Sequence, residues 1–295
     1  MSYIFTMNVL SLFDGISCGQ VALNRMDVTY DNYYASEIDK HAIQITQHNY
    51  PNTIQLGDVK KWGEWDIDFS MIDLILAGFP CQSWSMAGRM DGATDPRGQL
   101  MFDMMDIYNH IKTLNPNVRF LFENVRMKKE FQDYVNTVIG VEPIKINSNL
   151  LSAQNRERLY WTNIPNITQP ENKNIFIEDI LDDEFDKKYW LKPRNSELLR
   201  NKVDLTNAPN VCCIDVYNKK FKVDRKSPTL TLPHHNSLRL YQNGRIRKLT
   251  PEECEKLQTL PVGYTNVGVS DIHRYSSIGN GWTVDVIAHI FGGLR

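Results

Sequence analysis

The sequence lacks several patterns that would commit it to a particular class of protein. Its five cysteines are odd in number and contain no C-x-x-C pair, which argues against a disulfide framework and against a zinc site. No apolar run approaches the roughly 20 residues of a membrane-spanning helix, and the first residues show neither the basic region nor the cleavage site of a signal peptide. We therefore expect a cytoplasmic protein with reduced thiols, no metal ion and no membrane partner.

Two common nucleotide-binding signatures are also missing. Gly15 and Gly19 follow a predicted strand but do not fit G-x-G-x-x-G, and G-x-x-x-x-G-K-[ST] does not occur. Neither a dinucleotide nor a triphosphate site is favoured. Internal repeats and low-complexity segments are absent as well. The 295 residues, 42% of them hydrophobic, suffice for one large α/β domain, alone or with a smaller one.

The net charge of −2 conceals a strong asymmetry along the chain. Between Lys187 and Lys248 there are 15 Lys or Arg and 4 Asp or Glu, a local balance of +11, so the rest of the chain carries −13. Such a basic segment is typical of nucleic-acid contact confined to one region. A solvated, lysine-rich surface explains the charge alone equally well.

The most informative stretch is Leu76-Ala77-Gly78-Phe79-Pro80-Cys81-Gln82-Ser83. Residues 72–77 are apolar and bounded by Gly78 and Pro80, which predicts a buried strand that ends there. A reactive group at the carboxyl end of such a strand lies where open α/β sheets bind ligands. A lone cysteine is more often a small buried apolar residue, so the interpretation of Cys81 depends on other stretches.

The N-terminal part predicts a site for an adenosine-containing ligand. A strand over 8–13, a glycine turn and a helix over 20–25 are followed by a second strand that ends in Glu37. An acidic residue in that place can accept hydrogen bonds from both ribose hydroxyls. Asp58, at the end of a third short predicted strand, can accept from an adenine amino group. Each acid taken alone is more often a helix cap or a surface charge.

Further residues are predicted at the same edge as Cys81. Residues 82–98 contain three glycines and a proline, which is typical of a long loop that can act as a lid. A helix over 100–113 and a strand over 119–122 then lead to Glu123, which places a carboxyl group near the thiol. Two arginines, Arg156 and Arg158, come just before a strand over 159–161.

The last third of the chain changes in composition. Residues 165–239 have Asn, Lys and Pro clusters and short apolar stretches, which favours a separate small domain. Thr250-Pro251-Glu252-Glu253 is a capping box with proline at the first helical position, so a helix is expected to about Thr259. An apolar helix over 282–291 is expected to pack on the first domain.

Taken together, these stretches resemble motifs of the cytosine carbon-5 DNA methyltransferases, in the family's order over almost the whole chain. The matching stretches are Phe13-Asp14-Gly15 through Gly19, Gly78-Phe79-Pro80-Cys81-Gln82, Phe122-Glu123-Asn124-Val125, Gln154-x-Arg156-x-Arg158, Arg247-x-Leu249-Thr250 to Pro261, and Gly279-Asn280 with Val284. Cys18 stands where the family commonly has glycine. In Cys18 and in Gly281-Trp282 the chain is similar to the eukaryotic de novo enzymes as well as to bacterial and phage enzymes. A bacterial or phage origin is expected.

The resemblance implies a fold and a domain organisation. The fold would be a doubly wound, Rossmann-like α/β sheet that uses S-adenosyl-L-methionine, with a second, smaller target-recognition domain. The larger domain would comprise residues 1–165, completed by 245–295, and the target-recognition domain residues 166–244. Double-stranded DNA is the expected partner of a monomer, with a restriction endonuclease as a further candidate partner.

The resemblance also implies roles for single residues. Cys81 would add as a thiolate to carbon 6 of a flipped-out cytosine, Glu123 would stabilise charge at N3, and Arg158 would hold the base carbonyl oxygen. The implied catalytic set is Cys81, Glu123, Arg156 and Arg158. The implied cofactor contacts are Phe13, Asp14, Gly15, Gly19, Glu37, Ile38, Asp58, Val59, Pro80, Leu100, Asn280 and Val284. The implied DNA contacts are Ser85, Arg97, Arg225, Lys226, Thr231 and Arg239, with His234, His235 and Asn236 as candidate base readers.

Two other functions fit parts of the sequence. One branch of the family methylates cytosine in tRNA, but the Cys-Phe-Thr element that marks that branch is not found here. An inactive DNA-binding relative would retain the fold without turnover. Such relatives usually lose the Pro-Cys or the Glu-Asn-Val motif, and this chain has both.

Overall fold

The computed structural model describes residues 7–80, 99–232 and 238–295. The chain divides into two compact units. Unit 1 comprises Met1–Ile146, Glu157–Gln169 and Ile287–Arg295, and unit 2 comprises Asn147–Arg156 and Pro170–Val286.

Unit 1 is built on a seven-stranded sheet with the order β3-β2-β1-β4-β5-β7-β6. Its strands are β1 (Met7–Leu12), β2 (Tyr30–Ser36), β3 (Ile54–Gln55), β4 (Ile72–Gly78), β5 (Arg119–Val125), β6 (Ile144–Asn147) and β7 (Glu157–Thr162). Strands β1 to β5 pair in parallel, and β7 runs antiparallel to β5. The helices are α1 (Cys18–Arg25), α2 (Lys40–Asn49), α3 (Gln99–Leu114) and α4 (Lys129–Ile139).

The central strands of this sheet are almost entirely buried. Side chains of β1 and β4 on both faces belong to the core, which is the pattern of a parallel sheet covered on both sides. The strand order reverses between β1 and β4, so the loops that leave these two strands start side by side. Ligands of open α/β sheets bind at such a switch point. The predicted doubly wound α/β fold is confirmed.

Several details of the predicted elements were wrong. Strand β5 continues past Glu123 to Val125, and Arg158 lies within β7 and not before it. Phe13 does not continue β1, because its φ angle of 56° turns the chain out of the extended conformation. Asp58 does not end a strand, because β3 stops at Gln55; Asp58 instead precedes a 3-10 helix, Val59–Glu64.

Unit 2 contains a four-stranded antiparallel sheet with the order β11-β10-β8-β9. Its strands are β8 (Val211–Asp215), β9 (Lys220–Phe221), β10 (Leu238–Gln242) and β11 (Arg245–Arg247). The helices are α5 (Pro193–Arg200), α6 (Pro251–Leu257) and α7 (Asp271–Asn280), and α8 (Val284–Phe291) runs from unit 2 into unit 1. No helix of the described residues is long and apolar enough to cross a membrane.

Both faces of the second sheet carry packed side chains, because successive strand residues point to opposite faces. Cys213 and Leu240 belong to a core cluster that includes α6 residues. Their neighbours Ile214 and Tyr241 belong to a cluster that includes Leu199 of α5. Helix α5 therefore covers the face of the sheet that α6 does not.

A wholly buried ion pair fixes the start of α6. Thr250 accepts from the Glu253 backbone N–H while the Glu253 carboxylate accepts from the Thr250 N–H, so the predicted capping box is confirmed. The same carboxylate binds both terminal nitrogens of Arg247 at 2.7 Å, and neither side chain is exposed. Arg247 belongs to the basic segment, yet its charge is neutralised by Glu253 in the interior of the fold.

The contacts group the C-terminal residues differently from the predicted domain boundaries. Residues 245–286 belong to unit 2, and only the chain from Ile287 onward belongs to unit 1. The start of α6 shows why, since Arg247 of β11 is bound to Glu253. The assignment of target recognition to 166–244 stays a prediction.

Replacing Glu253 with alanine should destabilise unit 2 by about 3–5 kcal/mol, because it leaves the Arg247 guanidinium buried without a counter-charge. Urea denaturation followed by fluorescence would measure the loss. The control is Asp133→Ala, which removes an exposed partner of Lys129 and should cost less than about 1 kcal/mol. Equal losses in the two variants would contradict this account.

Candidate functional site

The loop after β1 is held in an unusual backbone conformation. Phe13, Gly15 and Ser17 all have positive φ angles, of 56°, 59° and 59°. Positive φ is uncommon outside glycine, and clusters of such residues mark ligand sites. The position that a β-carbon would take at Gly15 has no atom within 4 Å, so this side of the loop is open to a ligand.

Glu37, at the end of β2, connects that loop to the start of α2. Its Oε2 accepts from the Gly15 N–H at 2.8 Å, and its Oε1 accepts from the N–H groups of Ile38 and Asp39 at 2.7 and 2.8 Å. These bonds fix the carboxylate beside the loop. Ile38 is 75% exposed, which gives the same edge an apolar surface for a planar ring.

Asp14 lies between the strained residues, and its carboxylate is unusually placed. Its Oδ1 accepts from the Tyr33 hydroxyl at 2.9 Å, while its Oδ2 is buried and has no hydrogen-bond partner within the described residues. Burial raises the pKa of Asp14 to about 6, against the opposing effect of nearby Ser11, Ser17 and Tyr33 hydroxyls. An orphaned acid in this loop fits a ligand site better than a structural turn.

Three of the predicted cofactor contacts have structural roles. A β-carbon at Gly19 would meet Leu76 Cδ1 and the Tyr33 hydroxyl at 2.7 Å, so this glycine allows α1 to pack on the sheet. Asp58 accepts from the Lys60 N–H and caps the 3-10 helix. Val59 is buried in the core of unit 1. The structure thus gives Gly19 and Val59 packing roles and Asp58 a capping role.

The other predicted cofactor contacts lie in several places. Phe13 and Leu100 are partly buried and pack against the core cluster of unit 1, and Pro80 is half-buried after β4. Asn280 and Val284 belong to unit 2, at the end of α7 and the start of α8. Cofactor contact by each of these residues stays a prediction.

Glu123 and Arg158 form a partly desolvated ion pair at the end of β5. The Arg158 Nε lies 2.9 Å from the Glu123 Oε1, and about a tenth of each side chain is exposed. Val125 of β5 is paired with Arg158 of β7, so Glu123 is its diagonal neighbour on the same face. Arg158 Nη1 donates to the Glu157 carbonyl oxygen at 2.8 Å. Nη2 makes no hydrogen bond within the described residues.

Asn124 was not among the predicted site residues, although it lies in the same motif. It is almost fully buried, and its Nδ2 donates to the carbonyl oxygen of Phe79 at 3.2 Å. Its Oδ1 accepts from the Val125 N–H. Asn124 therefore holds the chain two residues before Cys81. The available signal was its place directly after Glu123 in the Glu-Asn-Val motif.

Arg156 has a structural environment that differs from the predicted catalytic one. It is 5% exposed, and its guanidinium donates to the carbonyl oxygens of Leu230, Gly279 and Gly281 at 3.0–3.2 Å. Its donors are thus directed to backbone and hold two segments of unit 2 together. As a positioning residue, Arg156 fits the structure better than as a catalytic one.

Two glutamines with the same organising role were also missed. Gln154 accepts from the Leu230 N–H and donates to the Leu257 carbonyl oxygen and to Gln258 Oε1. Gln258 in turn donates to the carbonyl oxygens of Ile278 and Gly281. Both are fully buried. Only the pairing of distant segments reveals this network.

The predicted DNA contacts are not alike. Lys226 is buried, and its ammonium donates to the carbonyl oxygens of Asn149, Ser152 and Ile175, so it is unavailable to a phosphate. Arg225 is exposed but paired with Glu178. Arg239 is partly buried on β10, and Thr231 is exposed. Lys226 was therefore a poor candidate, because a local charge count does not show burial.

Several predicted residues lie outside the described part of the chain. They are Cys81, Ser85, Arg97, the rest of the predicted lid over 82–98, and His234, His235 and Asn236. Their roles stay predictions. Within the described residues, no cluster of three or more His, Cys, Asp or Glu could hold a metal ion.

These features define a class of protein. The switch point of an open α/β sheet carries a strained glycine loop, the Glu37 carboxylate, which could bind ribose hydroxyls, and the exposed apolar side chain of Ile38. The Glu123–Arg158 pair lies at the same sheet edge. This is an α/β enzyme with a site for a nucleoside-containing cofactor.

The family follows from comparison with known proteins. The model of the C-5 cytosine-specific DNA methylase family matches residues 7–294, and the chain belongs to this family. The predicted family membership and class of enzyme are confirmed.

The chain is similar throughout its length to individual relatives. It is 28% identical over 301 residues to the type II methyltransferase M.NlaX of Neisseria lactamica, covering 96% of this chain and 94% of that protein. It is 29% identical over 324 residues to the type II methyltransferase M.Bsp6I of a Bacillus species, covering 96% and 97%. The solved structure of the Entamoeba histolytica methyltransferase EhMeth has the same fold, with a TM-score of 0.69, 18% identity and 99% of each chain covered.

S-adenosyl-L-methionine is the methyl donor of this family, as predicted. The residues present fit it. The orphaned Asp14 oxygen, the open side of Gly15 and the fixed Glu37 carboxylate provide anionic groups and space for a cationic nucleoside. Glu37 is the candidate for the ribose hydroxyls and Ile38 for the adenine face.

Replacing Asp14 with asparagine should make the protein more stable than the wild type at pH 7, by no more than about 3 kcal/mol. The raised pKa favours the protonated acid in the folded state, so the wild type loses stability as pH rises from about 4 to about 6. The asparagine variant lacks this loss. Urea denaturation of both proteins across pH 4 to 8 would measure the growing difference.

The control has the opposite sign. Bonds from Ser70 lower the pKa of exposed Asp68, so Asp68→Asn should lose stability relative to the wild type as pH rises through the titration of that acid. A stability difference between wild type and Asp14→Asn that does not change with pH would contradict the assigned burial of the Asp14 carboxylate.

Proposed function

We propose that this protein transfers a methyl group from S-adenosyl-L-methionine to carbon 5 of a cytosine flipped out of a specific duplex DNA sequence, through a covalent adduct with Cys81. The observation that carries the proposal is the Glu123–Arg158 pair at the edge of the sheet. It provides a carboxyl group and a cation at the strand end that neighbours the chain leading to Cys81.

The strand register supports the meeting of these groups. Gly78, the last residue of β4, is paired with Glu123 of β5. Cys81 follows Gly78 by three residues, which can span at most about 10 Å. The Asn124 bond to the Phe79 carbonyl oxygen fixes the first part of this span. The chain that leads to Cys81 therefore leaves β4 directly beside Glu123.

Covalent catalysis gives Cys81 its role. Carbon 5 of cytosine is a weak nucleophile, and addition of the thiolate to carbon 6 makes the ring enamine-like. S-adenosyl-L-methionine supplies the methyl group when it is bound. A base from the solvent then takes the proton from carbon 5, which forms the C5–C6 double bond again and expels the Cys81 thiolate, so the enzyme is regenerated.

Glu123 and Arg158 stabilise the charge that this addition creates. Electron density moves towards N3 of the ring, where the Glu123 carboxyl group can donate a hydrogen bond or a proton. Arg158 orients that carboxyl group through its Nε, and its Nη2 remains to bind the base carbonyl oxygen. The positive charge of the guanidinium also favours the thiolate of a nearby cysteine.

The base must leave the helix for these contacts to form, because stacked cytosine hides the face that Cys81 attacks. Flipping costs a few kcal/mol. We propose that residues 82–98 close over the flipped base, with Arg97 and Ser85 contacting the strand. Residues 166–244 would select the target sequence.

The proposed partners follow from the proposed reaction. Double-stranded DNA is the substrate, the protein acts as a monomer in the cytoplasm, and a restriction endonuclease of the same specificity is its candidate partner. M.NlaX and M.Bsp6I are named type II methyltransferases, and pairing with an endonuclease would require methylation of one defined sequence.

A labelled-methyl assay tests the proposed reaction. The protein is incubated with labelled S-adenosyl-L-methionine and either plasmid DNA or total tRNA. We expect label in DNA alone, with single-base mapping showing 5-methylcytosine in one sequence. Label in tRNA alone would favour the tRNA branch, and no label in either would favour an inactive relative.

Cys81→Ala should abolish methylation while DNA and cofactor affinity change less than about threefold, because the thiol acts in chemistry and not in docking. The wild type should also form a complex with a 5-fluorocytosine duplex that survives denaturing electrophoresis, since fluorine cannot leave as a cation. The buried Cys212 of β8 is the control: Cys212→Ala should retain the adduct. Residual turnover above a tenth in Cys81→Ala would refute the assignment.

Glu123→Gln should lower kcat by roughly 10²-fold or more with little change in cofactor affinity, because the acid acts mainly in the transition state. Steady-state kinetics with a binding measurement would separate the two quantities. Glu130→Gln, at an exposed acid of α4, is the control and should match the wild type. A loss confined to cofactor binding would place Glu123 in another site.

A further inference from the structure

Unit 2 contains a cleft that the proposed catalytic and cofactor sites do not use. It has a volume of about 360 Å³, and helix α5 and strand β10 contribute to its walls. We call it the α5 cleft, and its lining includes Leu198, Lys202, Val216, Arg239 and Lys248. It lies wholly within the basic segment.

The charge of the α5 cleft is of one sign. Three of its lining residues, Lys202, Arg239 and Lys248, are cations, and none of the described residues that line it is acidic. Glu197 of α5 is not part of the lining, and Asp215 of β8 accepts hydrogen bonds from Asn218. The cleft is therefore complementary to an anion.

Four other cations of the basic segment are bound to a carboxylate. Lys188, Lys222 and Arg225 each form an ion pair with a carboxylate, and Arg247 is buried against Glu253. The ammonium groups of Lys202 and Lys248 have no such carboxylate within the described chain. Exposed lysines without a partner attract polyanions most strongly, because no internal carboxylate competes.

Between the cations the cleft is apolar. Leu198 is half exposed, at 51%, although it lines a concave surface with Val216 and other aliphatic side chains. Burial also lowers the pKa of Arg239, because a cation loses hydration there. An occupant with anionic groups separated by C–H surface would cover the exposed Leu198 side chain and would compensate Arg239 for its lost hydration.

The surface continues from Val216 into the β8–β9 turn. Tyr217 is 84% exposed, and Lys219 and Lys220 beside it are exposed as well. An exposed aromatic ring beside two lysines extends the cationic and apolar surface of the cleft. A phosphodiester strand has the matching chemistry, with phosphates separated by deoxyribose C–H groups.

We propose that the α5 cleft binds the phosphodiester backbone of the DNA substrate, with Lys202, Arg239 and Lys248 on phosphates and Leu198 against a deoxyribose. The proposal rests on the proposed function and assigns the substrate's backbone to one surface of unit 2. Contacts of this kind position the duplex without reading its sequence.

The salt dependence of DNA affinity tests the proposal. Binding of the full-length protein to a fluorescein-labelled 30-base-pair duplex of mixed sequence is measured by anisotropy between 50 and 300 mM NaCl. The slope of log K against log salt should fall in magnitude by about 1 for each phosphate contact removed. We therefore expect a decrease of about 2 for Lys202→Gln/Lys248→Gln.

A matched control separates local contact from net charge. Lys112→Gln/Lys129→Gln removes the same charge from exposed residues of α3 and α4, and its slope should equal that of the wild type. Equal decreases in the two double variants would overturn the proposal, as would an unchanged slope in a folded Lys202→Gln/Lys248→Gln protein.

A second pair of variants tests the apolar part. Leu198→Asp places a carboxylate in the cleft, and Leu198→Asn places a neutral group of the same size there. Because Leu198 is half exposed, both variants should fold. We expect at least tenfold weaker DNA binding for the aspartate than for the asparagine variant at 100 mM NaCl, and equal affinities would contradict the assignment.

The outcomes also distinguish this inference from the proposed function. Methylation of plasmid DNA by the wild type tests the function irrespective of the cleft. Wild-type methylation with unaffected slopes would leave the function standing and overturn the cleft assignment. If, with slopes unaffected, an acidic and leucine-rich peptide bound the wild type and lost affinity in Lys202→Gln/Lys248→Gln, the cleft would instead be a protein-binding surface.

Discussion

The ion pair between Glu123 and Arg158 is the interaction on which the rest of the site depends. Two charges with about a tenth of each side chain exposed are stable only as a pair, because loss of one partner leaves the other desolvated. Their diagonal placement depends on the antiparallel pairing of β7 with β5. The pairing of β5 with β4 then brings Gly78, and the chain leading to Cys81, beside the carboxylate.

The cofactor edge is organised by backbone conformation more than by side-chain packing. Positive φ angles at Phe13, Gly15 and Ser17 direct the loop after β1 towards Glu37, whose carboxylate fixes it through the Gly15 N–H. The loop keeps these unfavourable backbone conformations because it is held at both ends. The buried strand β1 holds its start, and the close packing of Gly19 near Leu76 holds its end. A ligand thus meets a preformed site.

Buried cations and exposed cations without a carboxylate partner are two of the kinds that the basic segment contains. Arg247 and Lys226 are buried and stabilise unit 2. Arg247 binds a carboxylate, and Lys226 binds three carbonyl oxygens. Lys202 and Lys248 remain without a counter-charge along a concave surface. Net charge counted along a sequence sums both kinds, although only the second kind contributes to the attraction of a polyanion.

The sequence by itself determined the α/β fold, the strand end at Gly78, the α6 capping box and the family, because these depend on local periodicity and on short motifs. The tertiary structure decided the roles of Arg156, Lys226 and Asp58, and it revealed Asn124, Gln154 and Gln258. Their partners are distant in sequence, as with Arg156 and Gly279, or depend on where β3 ends, as with Asp58. Burial and hydrogen-bond partners arise only when the segments pack, so a residue type and its spacing cannot distinguish a catalytic arginine from one that holds the fold.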